Sequence, residues 1–507
     1  MTRALRLTLL PNVSVTGAGS FRVAFVFAVI VFSLVWTSPC FAQGFSLAAP
    51  LSYPSGADSY SVVLGDLNGD GKLDAVVTDS NVSTVSVLLG NGDGTFQPAV
   101  AYHTFPAPRH AVIGDFNGDG KLDVVATAYE SSGNEVSVLL GNGDGTLQPA
   151  VAYPTCAPGP YGIATADFNG DGKLDLVVTD GGTGSSGPER RISILLGNGD
   201  GTFAPAACYQ VSSGPLSVAI GDLNGDGKLD LAIGAFWGAA LDVLLGNGDG
   251  TFQPSVTYTS GQHPMSVGMV DLNNDGKLDV LVSDHGNDTL SVFLGNGDGT
   301  LQTPLVYPTG GQYAKKLGIT DLNGDGMLDV IVPSFLSSNV SIFLGNGDGT
   351  FQPAVIILAG DGPVDTAIAD LNGDGTPDLV FSDITSGYIS VLLNTWTGSI
   401  PTLTALSVTP NPALLGPGVT LTAQISPQVN SGKVTFYDGT VVLGTAPASG
   451  GSASLTTKLL PAGANALLAR YEGSSGFASS ASAATALTVQ TLPGSSFPVV
   501  APYVASG

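Results

Sequence analysis

The chain has 507 residues, with 70 Gly, 32 Pro, 43% hydrophobic residues and only 11% charged ones. That apolar content excludes a disordered polymer, and glycine without a Gly-x-y period excludes a collagen-like one. The net charge is −25, and with no basic run to offset it the composition argues against nucleic-acid binding.

Arg3, Arg6 and Arg22 precede an apolar run from Val23 to Trp36, and the small-residue exit Cys40-Phe41-Ala42 follows. This reads as a signal peptide over residues 1–42, cleaved after Ala42, which sends the protein outside the cell or to its surface. An uncleaved anchor is the competing reading, since the run is close to membrane-spanning length. Pro39 before Cys40 speaks against a lipoprotein. No second apolar run follows, so the mature chain is expected to have no membrane span. Losing three arginines takes its net charge to −28.

The nonapeptide DLNGDGKLD at Asp66–Asp74 then recurs with small changes at Asp115, Asp167, Asp222, Asp271, Asp321 and Asp370. Successive copies start 49, 52, 55, 49, 50 and 49 residues apart, a period that signals a repeat architecture. Around the first copy, SVVLGD, LDAVVTD, TVSVLLGN and GDGTFQPAVAYH are short Val-rich runs bounded by Gly, Asn or Asp. Four such runs per repeat predict four antiparallel strands, one blade of a β-propeller. The seventh copy stops at ISVLLNTW (Ile389–Trp396), short of a fourth strand. The segment Gly44–Gly56, ahead of the first copy, matches later fourth strands such as Gly145–Cys156. It is expected to complete the last blade and so cover its open edge.

The nonapeptide reads as a ligand set. Positions 1, 3, 5 and 9 offer side-chain oxygens, position 6 is always Gly, and position 7 can offer a carbonyl, as in an EF-hand loop compressed to nine residues. Asp66, Asn68, Asp70, Lys72 and Asp74 fill these places in the first copy; Asp115, Asn117, Asp119, Lys121 and Asp123 in the second. Asp167, Asn169, Asp171, Lys173 and Asp175 follow, then Asp222, Asn224, Asp226, Lys228 and Asp230. The last three sets are Asp271, Asn273, Asp275, Lys277 and Asp279; Asp321, Asn323, Asp325, Met327 and Asp329; and Asp370, Asn372, Asp374, Thr376 and Asp378. Oxygen donors without His or Cys favour Ca²⁺ over zinc or copper, with up to seven ions expected. The bland reading, seven turns without metal, leaves three carboxylates per loop uncompensated. The second motif, GNGDGTF or GNGDGTL, carries Asp93, Asp144, Asp200, Asp249, Asp298 and Asp348 and reads as a tight turn before the fourth strand.

These residues resemble the FG-GAP or VCBS repeat, and are similar to the calcium-binding blades of integrin alpha-chain propellers. The resemblance implies a calcium loop between the first and second strands of each blade. The fifth copy departs, with Asn274 where the others carry Gly, which leaves the ligands in place and puts strain on the turn. After the linker, segments such as SGKVTFYDGTVVLGTA resemble a bacterial Ig-like domain. The expected fold is all-β: a seven-bladed β-propeller over 43–396, a linker at 397–402, an Ig-like sandwich over 403–490 and a flexible tail at 491–507.

Six residues before each nonapeptide the copies vary, reading Tyr60, Arg109, Tyr161, Leu216, Met265, Lys315 and Val364, with Pro before five of the seven. After the second strand, Asp79, Asp180, Asp284 and Asp383 alternate with the aromatics Tyr129, Phe236-Trp237 and Phe335. Aromatics beside acids suit sugars, so Tyr129, Phe236, Trp237, Phe335, Arg109 and Tyr161 are the candidate ligand residues, against the bland reading that they pack between blades. His103, His110, His263 and His285 are the only histidines, thin support for catalysis. Cys156 and Cys208 occupy non-equivalent places in successive repeats, so their pairing stays open. The expected function is a secreted, monomeric, non-catalytic module for glycans or a cell-surface ligand. A Ca²⁺-dependent polysaccharide lyase and a purely structural surface module are the alternatives.

Overall fold

All repeats but the fourth hold two runs that no charged residue interrupts, such as Ala75–Thr78 and Val85–Leu88. They become the two middle strands of a sheet and are buried along their whole length, because a neighbouring sheet covers each face. The computed structural model describes residues 45–129, 133–181, 190–396, 402–474 and 476–490. The expected signal peptide, Gly44, most of the linker and the tail lie outside the described residues. Every described element is a strand, and among the described residues no helix is long and apolar enough to cross a membrane.

The first sheet is Ser59–Gly65, Asp74–Asp79, Thr84–Leu88 and Val100–His103, in that order and antiparallel. Five more sheets repeat the plan between Pro108 and Leu358. A seventh is built from Pro363–Ala369, Asp378–Asp383 and Tyr388–Leu392, with Leu51–Pro54 as its outer strand. The register runs from Leu51 opposite Val391 to Pro54 opposite Tyr388. The expected closing strand is therefore where the truncated seventh copy needs it.

Consecutive sheets share one apolar core each. Val76 and Val87 pack on Val124 and Leu139 of the second sheet, and the pattern continues to Ile342 against Leu379 and Phe381 of the seventh. The seventh in turn packs Val380 and Val391 against Val62 and Val77 of the first, which returns the array to its start.

The GNGDGT turns do more than reverse the chain. The third glycine of five of the six donates its N–H to the preceding sheet's nonapeptide, as Gly94 to the Leu371 carbonyl at 3.2 Å and Gly145 to that of Leu67 at 3.2 Å. A Cβ on Gly145 would lie 2.6 Å from the Leu89 side chain of the sheet before. The seventh copy lacks this turn, and there the Asn394 side-chain amide donates to the Leu322 carbonyl at 2.8 Å instead.

Cys156 and Cys208 are bonded. The sequence left this open because the two occupy different places in their repeats. The structure supplies the reason: Cys156 lies in the loop leaving one sheet, and Cys208 lies on the outer strand of the next. Ser193 connects them, accepting the Cys156 N–H at 2.8 Å and sitting opposite Cys208 in the strand register.

C-terminal to Trp396 a sandwich forms from a three-stranded sheet, Leu403–Thr409, Val419–Ser426 and Ser452–Thr457, and a second sheet centred on Lys433–Asp438 and Gly463–Tyr471. Leu421, Phe436, Leu467 and Tyr471 fill its core, and Trp396 packs against it.

Candidate functional site: acidic loops and an axial cluster

All seven nonapeptides close on the same bonds, save that the position-4 N–H is held in only the first three and the seventh. In the first, Asp66 Oδ1 accepts the Gly69 and Asp70 N–H groups at 2.7 and 3.1 Å, and Oδ2 accepts that of Gly71 at 2.8 Å. Asn68 Oδ1 accepts the Asp70 N–H at 2.9 Å, and Asp70 Oδ1 that of Lys72 at 2.9 Å. These bonds fix positions 1, 3 and 5 around an exposed turn. Position 4 sits at φ near +74° in the first copy, a conformation that suits Gly. Asn274 takes the same place at φ +57°, and Asn tolerates that region better than most residues.

The ninth residue has a role that spacing did not reveal. Asp74 is fully buried. Its Oδ2 accepts the Leu67 N–H at 2.9 Å and its Oδ1 the Gly90 N–H at 2.8 Å. It thus ties the nonapeptide to the GNGDGT turn and puts both motifs at one end of the sheet. Burial, and then the Asp70 and Asp66 charges, hold its carboxyl above the usual range despite these two bonds. In the sixth copy burial is deeper, and Asp329 is pushed up to about 8 and Asp325 to about 6.

The donor chemistry of positions 1, 3 and 5 fits a hard cation, since all three present oxygens on one exposed loop. Among the described residues, however, no group of three or more carboxylates, imidazoles or thiolates converges as a ready metal cluster. In five copies the position-7 lysine ammonium lies beside the position-5 carboxylate, 3.8 Å away for Lys72 and Asp70.

The other end of the array is set by a bulge. At the start of the innermost strand the register shifts between Ser59 and Ser61, between Pro215 and Ser217, and at the matching place of all but the sixth sheet. The extra residue is the variable position singled out above, and a bulge re-aims its side chain. Tyr60, Tyr161, Leu216 and Met265, from four sheets, meet in one cluster, so these side chains point to a common axis. The Tyr60 and Tyr161 hydroxyls are hydrogen-bonded. Hydroxyls of the second strands brace the bulges, Thr78 donating to the Arg109 carbonyl at 2.7 Å and Ser382 to that of Tyr60 at 3.1 Å.

Around this plug lie Arg109, its guanidinium 4.4 Å from the Tyr60 ring and 5.0 Å from that of Tyr129, and Lys315, 5.5 Å from Phe335. Asp365, fully buried, accepts from Lys316 Nζ at 3.0 Å and stands 3.8 Å from His110 Nδ1. Burial and then the Lys316 charge push His110 down to about 3, so it is neutral.

Two expectations for this end need correction. Tyr161 is only 5% exposed and belongs to the plug, not to an open ligand surface. Asp79, Asp180, Asp284 and Asp383 are also buried; they turn into the sheet to meet third-strand hydroxyls, Ser86 at 2.6 Å and Ser193 at 2.7 Å for the first two. Phe236 and Tyr129 flank the plug. Trp237 is 42% exposed, with its ring edge-on to Phe236 at 4.8 Å.

Comparison with protein families matches the FG-GAP-like repeat over residues 66–126, 115–178, 183–233, 238–282, 271–332 and 321–381. The chain belongs to the FG-GAP-like repeat family. Residues 406–490 match the bacterial Ig-like domain (group 3). No curated protein matches the chain. Among solved structures the FG-GAP-like chain is similar to BBS1N, crystallised in complex with ARL6DN, at 14% identity and a TM-score of 0.51, covering 70% of this chain and 99% of that one. It is also similar to the periplasmic gluconolactonase of Pseudomonas aeruginosa, at 15% identity and a TM-score of 0.46, covering 64% and 88%. Such identities show the fold alone.

Sequence reasoning missed four features of these FG-GAP-like repeats: the amide-binding ninth Asp, the inter-sheet latch, Lys316 and Asp365. The fourth sheet held a usable signal for the buried acids. There Ala235 replaces the second-strand Asp, while the third strand carries Asp242 in place of Ser. The carboxylate has moved across the pair, and Asp242 accepts from Ser212 and Thr257 at 2.9 and 2.6 Å.

Proposed function

We propose that the chain is an exported, calcium-stabilised ring of seven blades with one Ig-like domain, and that it binds glycans without transforming them. The blade count rests on seven four-stranded sheets in cyclic succession. The six family spans fit it, because they lie between or across seven nonapeptides. FG-GAP-like repeats joined to an Ig-like domain suit a binding or structural module better than an enzyme. Calcium is held, in this reading, by positions 1, 3 and 5 of the loops, and its charge relieves the repulsion between their carboxylates.

The observation that carries glycan binding is an aromatic band over the fourth to sixth sheets. Phe236 stacks on His263 at 4.5 Å, with Trp237 edge-on to both. His285 stacks on Tyr313 at 4.3 Å, and Trp237 and Tyr313 are each 42% exposed. Flat apolar faces with polar edges match the two-sided character of a sugar ring. A glycan array with the full chain and with Trp237→Ala tests this. Binding that weakens in the variant at unchanged melting temperature is expected. Loss of stability instead would make Trp237 a packing residue, and unsaturated sugar products would replace the binding module by a lyase.

A further inference from the structure

The ring is poor in cations, and where they lie is informative. Apart from the five loop lysines, its only basic residues are Arg109, Arg190, Arg191, Lys315 and Lys316. Three of these five come from the second and sixth sheets to the same end of the axis, beside the plug. Lys316 is satisfied by Asp365 at 3.0 Å. Arg109 and Lys315 have no carboxylate within ion-pair distance among the described residues. Among the described residues, Arg109 Nε is buried without a hydrogen-bond partner. The residues next to Arg109 and Lys315 in sequence, His110 and Lys316, meet at Asp365, at 3.8 and 3.0 Å, which brings the two cations into one neighbourhood; burial and then the Arg109 charge lower Lys315 to about 8. The acids facing them are Asp58, whose charge Arg109 offsets, and Asp365, already shared by Lys316 and His110.

Partly buried cations without counter-ions are costly. Their surroundings narrow the ligand. Tyr129 and Phe335 supply ring faces beside the two charges, and a guanidinium fork matches the planar geometry of a carboxylate. We propose that the surface beside the axial plug binds a carboxylate-bearing sugar, a uronate residue, with Arg109 and Lys315 holding the carboxylate and Tyr129 and Phe335 its apolar face. This rests on the glycan-binding reading and gives it a chemical class.

The test compares three probes on the full chain in calcium: polygalacturonate, the same polymer with its carboxylates methyl-esterified, and a sulfated galactan. Polygalacturonate is expected to bind about tenfold or more tightly than its ester, and to weaken with added salt. Lys315→Gln is expected to lose about tenfold for polygalacturonate and nothing for the ester. The salt series on the unmodified protein decides the matter if that variant folds poorly. Equal affinity for polymer and ester, or an indifferent Lys315→Gln, would overturn the proposal while leaving glycan binding intact. Preference for the sulfated polymer would overturn the carboxylate assignment. Binding only to neutral glycans on the array would overturn this proposal alone, and no binding to any glycan would remove both readings.

Discussion

Replacing the ninth aspartate of a nonapeptide separates its two roles. Asp123 is fully buried and accepts the Phe116 and Gly141 N–H groups at 3.0 and 2.8 Å. Asp123→Ala strands both amides in a buried setting, at about 1–3 kcal/mol each. Burial already holds this carboxyl above its usual range, so removing the charge returns part of that, and a net loss of about 2–4 kcal/mol is expected. Asp123→Asn keeps one acceptor and should lose about half as much. Asp119 is the control: it is exposed and accepts only the Lys121 N–H, at 3.0 Å. Urea unfolding of the full chain is followed for both alanine variants, first in chelator and then in millimolar calcium. Asp123→Ala should be destabilised in both conditions. Asp119→Ala should stay near the parent protein in chelator and lose part of the calcium-induced gain. Equal midpoints for the two variants in chelator would refute the amide-holding role.

Stability should also depend on pH through the buried acids. Burial pushes Asp79 from 3.8 to about 7, which corresponds to roughly 4 kcal/mol at most. Because the folded value lies above the unfolded one, the folded state binds the proton more tightly, and this contribution is full below pH 4 and lost as pH rises to 7. Asp79→Asn should therefore be more stable than the parent at pH 8 and similar at pH 4 by urea midpoint; a constant difference at both would contradict the burial argument. Removing residues 45–54 should bare the edge of Tyr388–Leu392 and produce aggregates on size-exclusion chromatography, since an unpaired edge templates further pairing. A monomer of unchanged stability would place the closing strand elsewhere.

The fold was legible because two signals agreed. A fixed period near 50 residues repeated four Val-rich runs, and the missing fourth run of the last copy reappeared ahead of the first. What remained hidden depends on contacts between repeats, which a single repeat cannot show. Gly94 and Gly145 read as turn residues, and their N–H bonds to the preceding sheet emerge only once sheets are stacked. Asp79 and its equivalents follow a strand and look exposed by position, yet Ser86 and its equivalents draw them inward. The disulfide was hidden for the same reason, because it joins different places in neighbouring repeats. The variable axial position was found from internal comparison alone. Its mixture of Tyr, Arg, Leu, Met and Lys gave no sign that the aromatics would plug the axis while the cations, among the described residues, stayed without a carboxylate.

The claim that the nonapeptides are calcium sites is tested most directly by calcium titration of the thermally unfolded fraction. The full chain, freed of metal by chelator, is melted at rising calcium into the millimolar range, where extracellular sites of this kind fill. Each filled site should add roughly 2.7 kcal/mol at a hundredfold excess over its Kd, so the melting temperature should climb steeply with calcium. Magnesium at the same concentration should do much less. A melting temperature that is the same in chelator and in calcium would contradict the account, leaving the seven loops as turns held by their own amides.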